Sequence, residues 1–304
     1  MIPTAVLILF ALALPPVIGF HPYYLYLFGT AFLWASVASA WNLLETAGQI
    51  SFGHAAFFGA GAYASSLVAL RTNLSPQLAL LFGALVGGVT AVPLGLASHS
   101  IRSASLALAT FAYAEALRVI ARNWDALTGG GAGLIGIPPV DSAGGRAEGY
   151  YLSLLLLVTA LAVGRAVERS RLGLAFAAIR EREDRAQALG LAPTPVKLAA
   201  FVLSGGLTGL GGALYAHTVG SIQPDLVFGP SFSLLPLIMA TFGGIRAPLG
   251  PTLGALVLHL TSQLVLHPLL PRLHQLPYAL ALIAVALALP KGLVGLFMTR
   301  RRPA

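Results

Sequence analysis

The sequence predicts an all-α, polytopic integral membrane protein with about 8–10 transmembrane helices, some of them interrupted or re-entrant. Three observations carry this. Only 18 Lys+Arg and 10 Asp+Glu occur in 304 residues, 9% charged, against about 25% in soluble domains. Apolar residues make up 57% and glycine adds 34 positions. The charges are clustered, leaving long charge-free runs such as 1–44, 198–224, 226–245, 247–271 and 273–290. So few charges do not cover the surface of a soluble chain this size, and disordered chains are poor in apolar residues. A continuous apolar run of about 20 residues spans a bilayer as a helix, because lipid offers no partner to an open backbone group. The alternation of barrel strands is absent.

The runs divide into segments 2–20, 23–41, 50–70, 77–97, 103–121, 150–167, 197–219, 231–245, 250–267 and 274–290. The first lacks a basic n-region and is followed by another apolar run after Pro15-Pro16, so it reads as a span rather than a signal peptide. The whole chain, 1–304, reads as one transmembrane domain. Two polar excursions interrupt it, an outer loop at 122–149 and an inner segment at 165–197.

Orientation follows from the bias of basic residues toward the cytoplasm. With the N- and C-termini inside, Arg102, Arg246, the seven basic residues of 165–197 and the C-terminal tail are cytoplasmic. Arg71, Arg118, Arg122, Arg146 and Arg272 then lie outside. The same distribution explains the net charge of +8 without nucleic acid as a partner. There is no cysteine, which excludes disulfides, thiolate metal sites and a cysteine nucleophile.

Residues 172–190 have high helix propensity. Phe176, Ile179, Glu183, Ala186 and Gly190 recur at helical spacing. Glu181–Arg185 and Arg180–Asp184 are candidate i,i+4 pairs, and Gly190 is a candidate C-terminal stop. This segment reads either as a docking helix for a soluble partner or as a solvated linker.

Residues 48–54, Gly-Gln-Ile-Ser-Phe-Gly-His, interrupt a hydrophobic stretch. Irregular backbone at that depth lines a cavity or is buried in protein, and interrupted helices often contribute transporter sites. Gln49, Ser51 and His54 are therefore candidates for a translocation path, or for interhelical hydrogen bonds. Gly243 and Gly244 form a comparable interruption in the second half. Gly83-x-x-x-Gly87, Gly205-x-x-x-Gly209 and Gly250-x-x-x-Gly254 provide small-residue faces for close helix packing. Glu115 is an acid inside an apolar helix, with Arg118 placed to pair with it; it reads as half of an ion pair or as a functional acid. His217, His259 and His267 are isolated, and no metal ligand set is read from them.

Several signatures are absent or misplaced. Gly131 to Gly136 matches G-x-G-x-x-G but lacks the strand–helix setting of a dinucleotide site. No G-x-x-x-x-G-K-[ST], H-E-x-x-H or G-x-S-x-G occurs. No catalytic residue, metal or cofactor is expected, and the chain is not itself an ATPase.

Asp184-Arg185-Ala186-x-x-x-Gly190 resembles a degenerate form of the Glu-Ala-Ala-x-x-x-Gly loop of ABC importer permeases. Ala178-Ile179-Arg180-Glu181-x-Glu183-x-x-Ala186-x-x-x-Gly190, followed by Lys197-Leu198-x-Ala200-Phe201, resembles the branched-chain amino acid permease family. The likeness extends from Trp41-Asn42-Leu43-Leu44 and Ala47–Ala55 through Gly211–His217 and Pro224 to Gly243-Gly244 and Gly250-Pro251-x-x-Gly254-Ala255. Glu115–Arg118, Asn123-Trp124, Leu127–Gly130 and Gly136-Ile137-Pro138 are similar to the M-type subunit rather than its H-type partner. Two stretches depart from that pattern: Ser103–Leu108 lacks an aromatic residue, and Ala132 stands where Asn is frequent.

The resemblance implies a permease subunit of an ATP-driven importer of branched-chain amino acids in the cell inner membrane. It implies a second permease subunit, two ABC ATPase subunits binding ATP on the cytoplasmic face, and an extracytoplasmic solute-binding protein. Ile179, Arg180, Glu181, Glu183, Asp184, Ala186 and Gly190 would then couple to the ATPases. A related permease for urea, short amides or other amino acids is the alternative, followed by an ion-coupled secondary transporter.

Overall fold

The computed structural model describes residues 2–72, 74–99, 101, 103–141, 146–245, 247, 249–266, 280 and 292–298. The predicted segment 274–290 (save position 280), Arg102, Arg246, His267, Arg272 and the C-terminal basic tail lie outside them. The described chain is helical almost throughout: α1 (Ile2–Val17), α2 (Pro22–Thr46), α3 (His54–Thr72), α4 (Pro76–Ala97), α5 (Ser103–Asn123), α6 (Asp125–Thr128), α7 (Ala147–Arg169), α8 (Arg171–Ala188), α9 (Pro193–Val219), α10 (Pro224–Val227), α11 (Pro230–Gly243), α12 (Gly250–Thr261) and α13 (Gly292–Met298). The only strands among the described residues are β1 (Leu134–Ile135) and β2 (Ser221–Ile222), paired antiparallel.

Among these, the helical segments Pro22–Thr46, Pro76–Ala97, Ala147–Arg169, Pro193–Val219 and Pro224–Gly243 are long and apolar enough to cross a bilayer. The protein is a multi-pass membrane protein. α3 is less apolar for a physical reason: most of its residues, including Ser65, Ser66 and His54, are buried in protein rather than facing lipid. Proline opens α2, α4, α9, α10 and α11, where its missing N–H costs nothing. Hydroxyls within the helices donate to carbonyls one turn back, as in Ser66 to Ala62 and Thr90 to Val86, both at 2.7 Å. They thereby avoid an unpaired donor where water is scarce.

The chain forms two compact units, whose boundaries fall inside α2, α7 and α11 and in the loop before α7. One unit comprises residues 1–42, 141–159 and 235–304. There Tyr150 Oη donates to the Ala11 carbonyl at 2.6 Å, and Phe32 meets the Tyr150 ring edge-on. Thr30 bonds His259 Nε2 at 3.0 Å, and Ser39 bonds Thr252 at 3.2 Å.

The other unit comprises residues 43–140 and 160–234. Its centre is α3, α4 and α9. The glycine faces of α4 and α9 meet as the small-residue pattern predicts. A Cβ on Gly87 would lie 2.7 Å from Gly209 Cα, and one on Gly209 would overlap the Gly83 carbonyl. Gly61 of α3 meets Gly209, and Gly212 meets the Phe58 backbone. Backbones this close maximise dispersion contacts, the main attraction between helices surrounded by lipid.

Candidate functional site

The interruption at 47–53 and the charged segment around α8 both belong to the second unit. The interruption begins where α2 ends. Gly48 takes φ +73° and Gly48 N–H donates to the Glu45 carbonyl at 2.7 Å, the left-handed ending that favours glycine. Gln49 is buried and its side-chain amide donates to the Ala47 carbonyl at 3.1 Å. Ser51 is fully buried; its hydroxyl accepts from Gly53 N–H at 3.2 Å and bonds His54 Nδ1 at 3.1 Å. His54 Nε2 bonds Ser204 Oγ of α9 at 3.0 Å. Both ring nitrogens of a fully buried histidine are thus engaged.

Two further elements hold this segment. Phe52 N–H donates to Thr110 Oγ1 of α5 at 3.0 Å, and a Cβ on Gly53 would overlap the Thr110 carbonyl. Ser233 Oγ accepts from Ala55 N–H at 3.1 Å, satisfying one of the orphan donors of the first turn of α3. The irregular backbone is therefore paired with protein on several sides.

α8 starts at Ser170, whose hydroxyl accepts from Leu172 and Gly173 N–H, an N-cap. It ends before Gly190, at φ +85°, with Leu191 N–H bonded to the Ala186 carbonyl at 3.0 Å. Between these ends it is not one regular helix. Arg182 adopts φ −155° and ψ 99°, an extended residue that divides α8 into two pieces. The uninterrupted helix expected over 172–190 is corrected accordingly, and neither Glu181–Arg185 nor Arg180–Asp184 pairs. Helical i,i+4 geometry does not survive an extended residue between the partners.

The charges of α8 instead reach the helix ends around it. Arg180 Nη1 is 4.0 Å from Glu45 Oε2, and a Cβ on Gly48 would lie 2.9 Å from Arg180 Cα. The first piece of α8 thus rests against the start of the interruption. Glu183 carries its carboxylate to Lys197 Nζ at 2.7 Å, and Lys197 also donates to the Ser98 carbonyl at the end of α4, at 3.0 Å. Phe176, Ile179 and Ala186 are buried, whereas Leu174 and Leu189 are 72% and 86% exposed.

At the opposite end of α9, the loop after α6 is clasped to the same helices. β1 pairs with β2, Ile137 N–H donates to the Gly220 carbonyl at 3.0 Å, and His217 bonds Ser65 at 2.8 Å and the Pro138 carbonyl at 2.6 Å. α9 is 27 residues long, about 40 Å at 1.5 Å per residue. Glu115 pairs with Arg118, as its spacing predicts, and Arg118 also pairs with Asp225 of α10. No group of three or more His, Cys, Asp or Glu suited to a metal occurs among the described residues.

Gly243 and Gly244 belong to the first unit. A Cβ on Gly243 would lie 2.8 Å from Gly254 N, and one on Gly250 would overlap the Gly244 carbonyl. Both glycines therefore serve the close turn between α11 and α12. Glu45, Thr110, Lys197, Ser204 and Ser233 were not candidates from sequence. Lys197 alone carried a signal, as a lone cation 14 residues after Glu183 in a charge-poor chain; the hydroxyls of Thr110, Ser204 and Ser233 carried none.

A multi-pass helical chain with a buried, protein-lined helix interruption and a charged segment packed against it is built as a membrane permease. The chain belongs to the family described as "Branched-chain amino acid transport system / permease component", whose model matches residues 23–296. It is similar to the high-affinity branched-chain amino acid transport system permease protein LivM of Salmonella typhimurium, 28% identical over 246 residues, which cover 72% of this chain and 57% of that one. The LivM protein of Escherichia coli is 27% identical over the same length and the same shares. The nucleoside ABC transporter permease protein NupC of Lactococcus lactis subsp. cremoris is 23% identical over 295 residues, 88% of this chain and 91% of that one. The chain thus spans 57% of the length of the LivM proteins it matches. No solved structure matches it.

Proposed function

We propose that this chain is the membrane-spanning permease subunit of an ABC importer that moves branched-chain amino acids across the cell inner membrane. The observation that carries this reading is the family match over residues 23–296. The LivM likeness supports the substrate class. The chain performs no covalent chemistry. A second permease subunit completes the pathway, two ATPase subunits bind the cytoplasmic face, and a solute-binding protein delivers the amino acid outside. Both termini are cytoplasmic in this reading, which puts α8 on the inner face.

α8 is the docking element. Its buried residues Phe176, Ile179 and Ala186 hold it to the membrane helices, and the exposed Leu174 and C-cap Leu189 are apolar contacts for the ATPase. Ile179, Arg180, Glu181, Glu183, Asp184, Ala186 and Gly190 form the coupling segment. Gln49, Ser51 and His54 at one helix break, and Gly243 and Gly244 at another, are the proposed path residues for a mostly apolar zwitterion.

A second reading has its own support. The likeness to NupC covers more of both chains than the likeness to LivM, which favours a nucleoside as cargo. Reconstitution of the complete importer in proteoliposomes with radiolabelled leucine or uridine decides between them. ATP-dependent leucine uptake supports the amino acid reading, and uridine uptake without leucine uptake overturns it. Leucine uptake that persists without the ATPases overturns the ABC assignment of mechanism.

A further inference from the structure

Lys197 is 2% exposed, and few charges are buried among the described residues. Its ammonium bridges three elements. It stands on α9, it pairs with Glu183 in the second piece of α8 at 2.7 Å, and it donates to the Ser98 carbonyl at 3.0 Å. Ser98 caps the C-terminus of α4, where carbonyls lack helical partners and carry partial negative charge. A buried ammonium needs both kinds of partner to offset its lost hydration.

The first piece of α8 makes a different contact. Across Arg182, Arg180 rests on Gly48 and faces Glu45. One piece of α8 is therefore tied to α4 and α9, and the other rests on the start of the interruption. Ser204, which holds His54, lies seven residues beyond Lys197 on α9, about 10 Å along the helix. α3, α4 and α9 share glycine contacts at backbone distance, so they form one closely packed body.

We infer that Lys197 is a positioning residue of the transport cycle. By clamping the Glu183 piece of α8 to α4 and α9, it makes a displacement of α8 appear at the Arg180–Gly48 contact and so at residues 47–53. Without that fixed point, the two pieces of α8 shift together and less of the displacement is delivered at the Arg180–Gly48 contact. The inference rests on the proposed docking of ATPases to α8.

The test uses the complete importer in proteoliposomes, with ATP hydrolysis and leucine uptake measured in the same vesicles. Lys197→Met replaces the buried cation with an apolar chain of similar length, which keeps the site filled. The expected result is ATPase co-purification and hydrolysis as in the unaltered importer, with uptake per ATP lowered about tenfold, the scale of one coupled charge pair. Glu183→Gln should lower the same ratio, and the double variant should be no worse than Lys197→Met alone. A merely structural role would lower hydrolysis and uptake in proportion and leave their ratio unchanged; that result overturns the inference. Should Lys197→Met fail to insert, Lys197→Gln, which keeps an N–H donor for the Ser98 carbonyl, decides by the same ratio. Absence of ATPase binding to the unaltered chain overturns the docking reading instead.

Discussion

His54 Nε2 lies 3.0 Å from Ser204 Oγ, bonding the first residue of α3 to the middle of α9. With Ser51 on the other ring nitrogen at 3.1 Å, the imidazole links the helix interruption to the packed body of the unit. His54→Ala should leave a cavity and two hydroxyls deprived of a partner, costing about 2–4 kcal/mol. Ser204→Ala should cost about 1–2 kcal/mol. The double variant should equal His54→Ala more nearly than the sum, because the two groups share one bond. Thermal unfolding in detergent measures all three; strict additivity would refute the pairing.

Two neighbouring glycine contacts should respond differently to the same methyl group. A Cβ on Gly209 would overlap the Gly83 carbonyl, whereas one on Gly88 has its nearest neighbour at 3.5 Å. Gly209→Ala should destabilise by about 1–3 kcal/mol through forced separation of α4 and α9. Gly88→Ala should be neutral or slightly stabilising, since alanine is the better helix former. Equal melting temperatures for the two variants would contradict the observed packing.

Gly48 combines a left-handed backbone with a contact to Arg180. Gly48→Ala should therefore strain the end of α2 and displace the first piece of α8, at a cost of about 1–3 kcal/mol. Hydrogen exchange should rise at residues 47–53 and 176–182 together. A rise confined to the former would show that α8 does not rest on the interruption.

Glu115 and Arg118 form the expected pair, and Asp225 joins them as a third member, with Arg122 3.7 Å from Asp225. Glu115 and Asp225 are substantially exposed, so screening keeps each pair to about 1 kcal/mol or less. Glu115→Gln should leave stability and ATP-driven uptake close to unaltered. Abolished uptake with intact ATP hydrolysis would instead mark Glu115 as part of an ion-coupled mechanism.

The exposed Leu174 of α8 and Leu189 at its C-terminal cap offer a direct test of the proposed docking. Leu189→Asp should insert normally, since its side chain touches little of the protein, yet should weaken ATPase co-purification. Arginine at position 182 supplies the control: Arg182→Ala, at the extended residue between the two pieces of α8, should perturb the segment without adding repulsive charge. Undiminished co-purification with Leu189→Asp would move the docking surface away from this end of α8.

The helical, membrane-embedded class was determined by the sequence alone. Scarce charge and long apolar runs leave a chain no other way to satisfy its backbone in lipid, so segments such as 77–97 and 103–121 lie within a few residues of α4 and α5. The glycine faces of α4 and α9 were legible for a similar reason: spacing of four places small residues on one side of a helix, whatever they meet. The partner of each polar group was decided only by tertiary structure. Arg180 read as the i,i+4 partner of Asp184 and Glu183 as part of one helical face, yet with Arg182 breaking the helix they meet Glu45 and Lys197. His54 read as a path residue or a hydrogen-bonding one, and its partner Ser204 lies 150 residues away. Gly243 and Gly244 read as a second interruption; α11 ends there, and only the packing shows their contacts with Gly250 and Gly254. Hydropathy reports the solvent of a segment, because the membrane acts on every residue of it alike. A hydrogen bond or ion pair depends on where two atoms meet, and that is set by the packing of the whole unit.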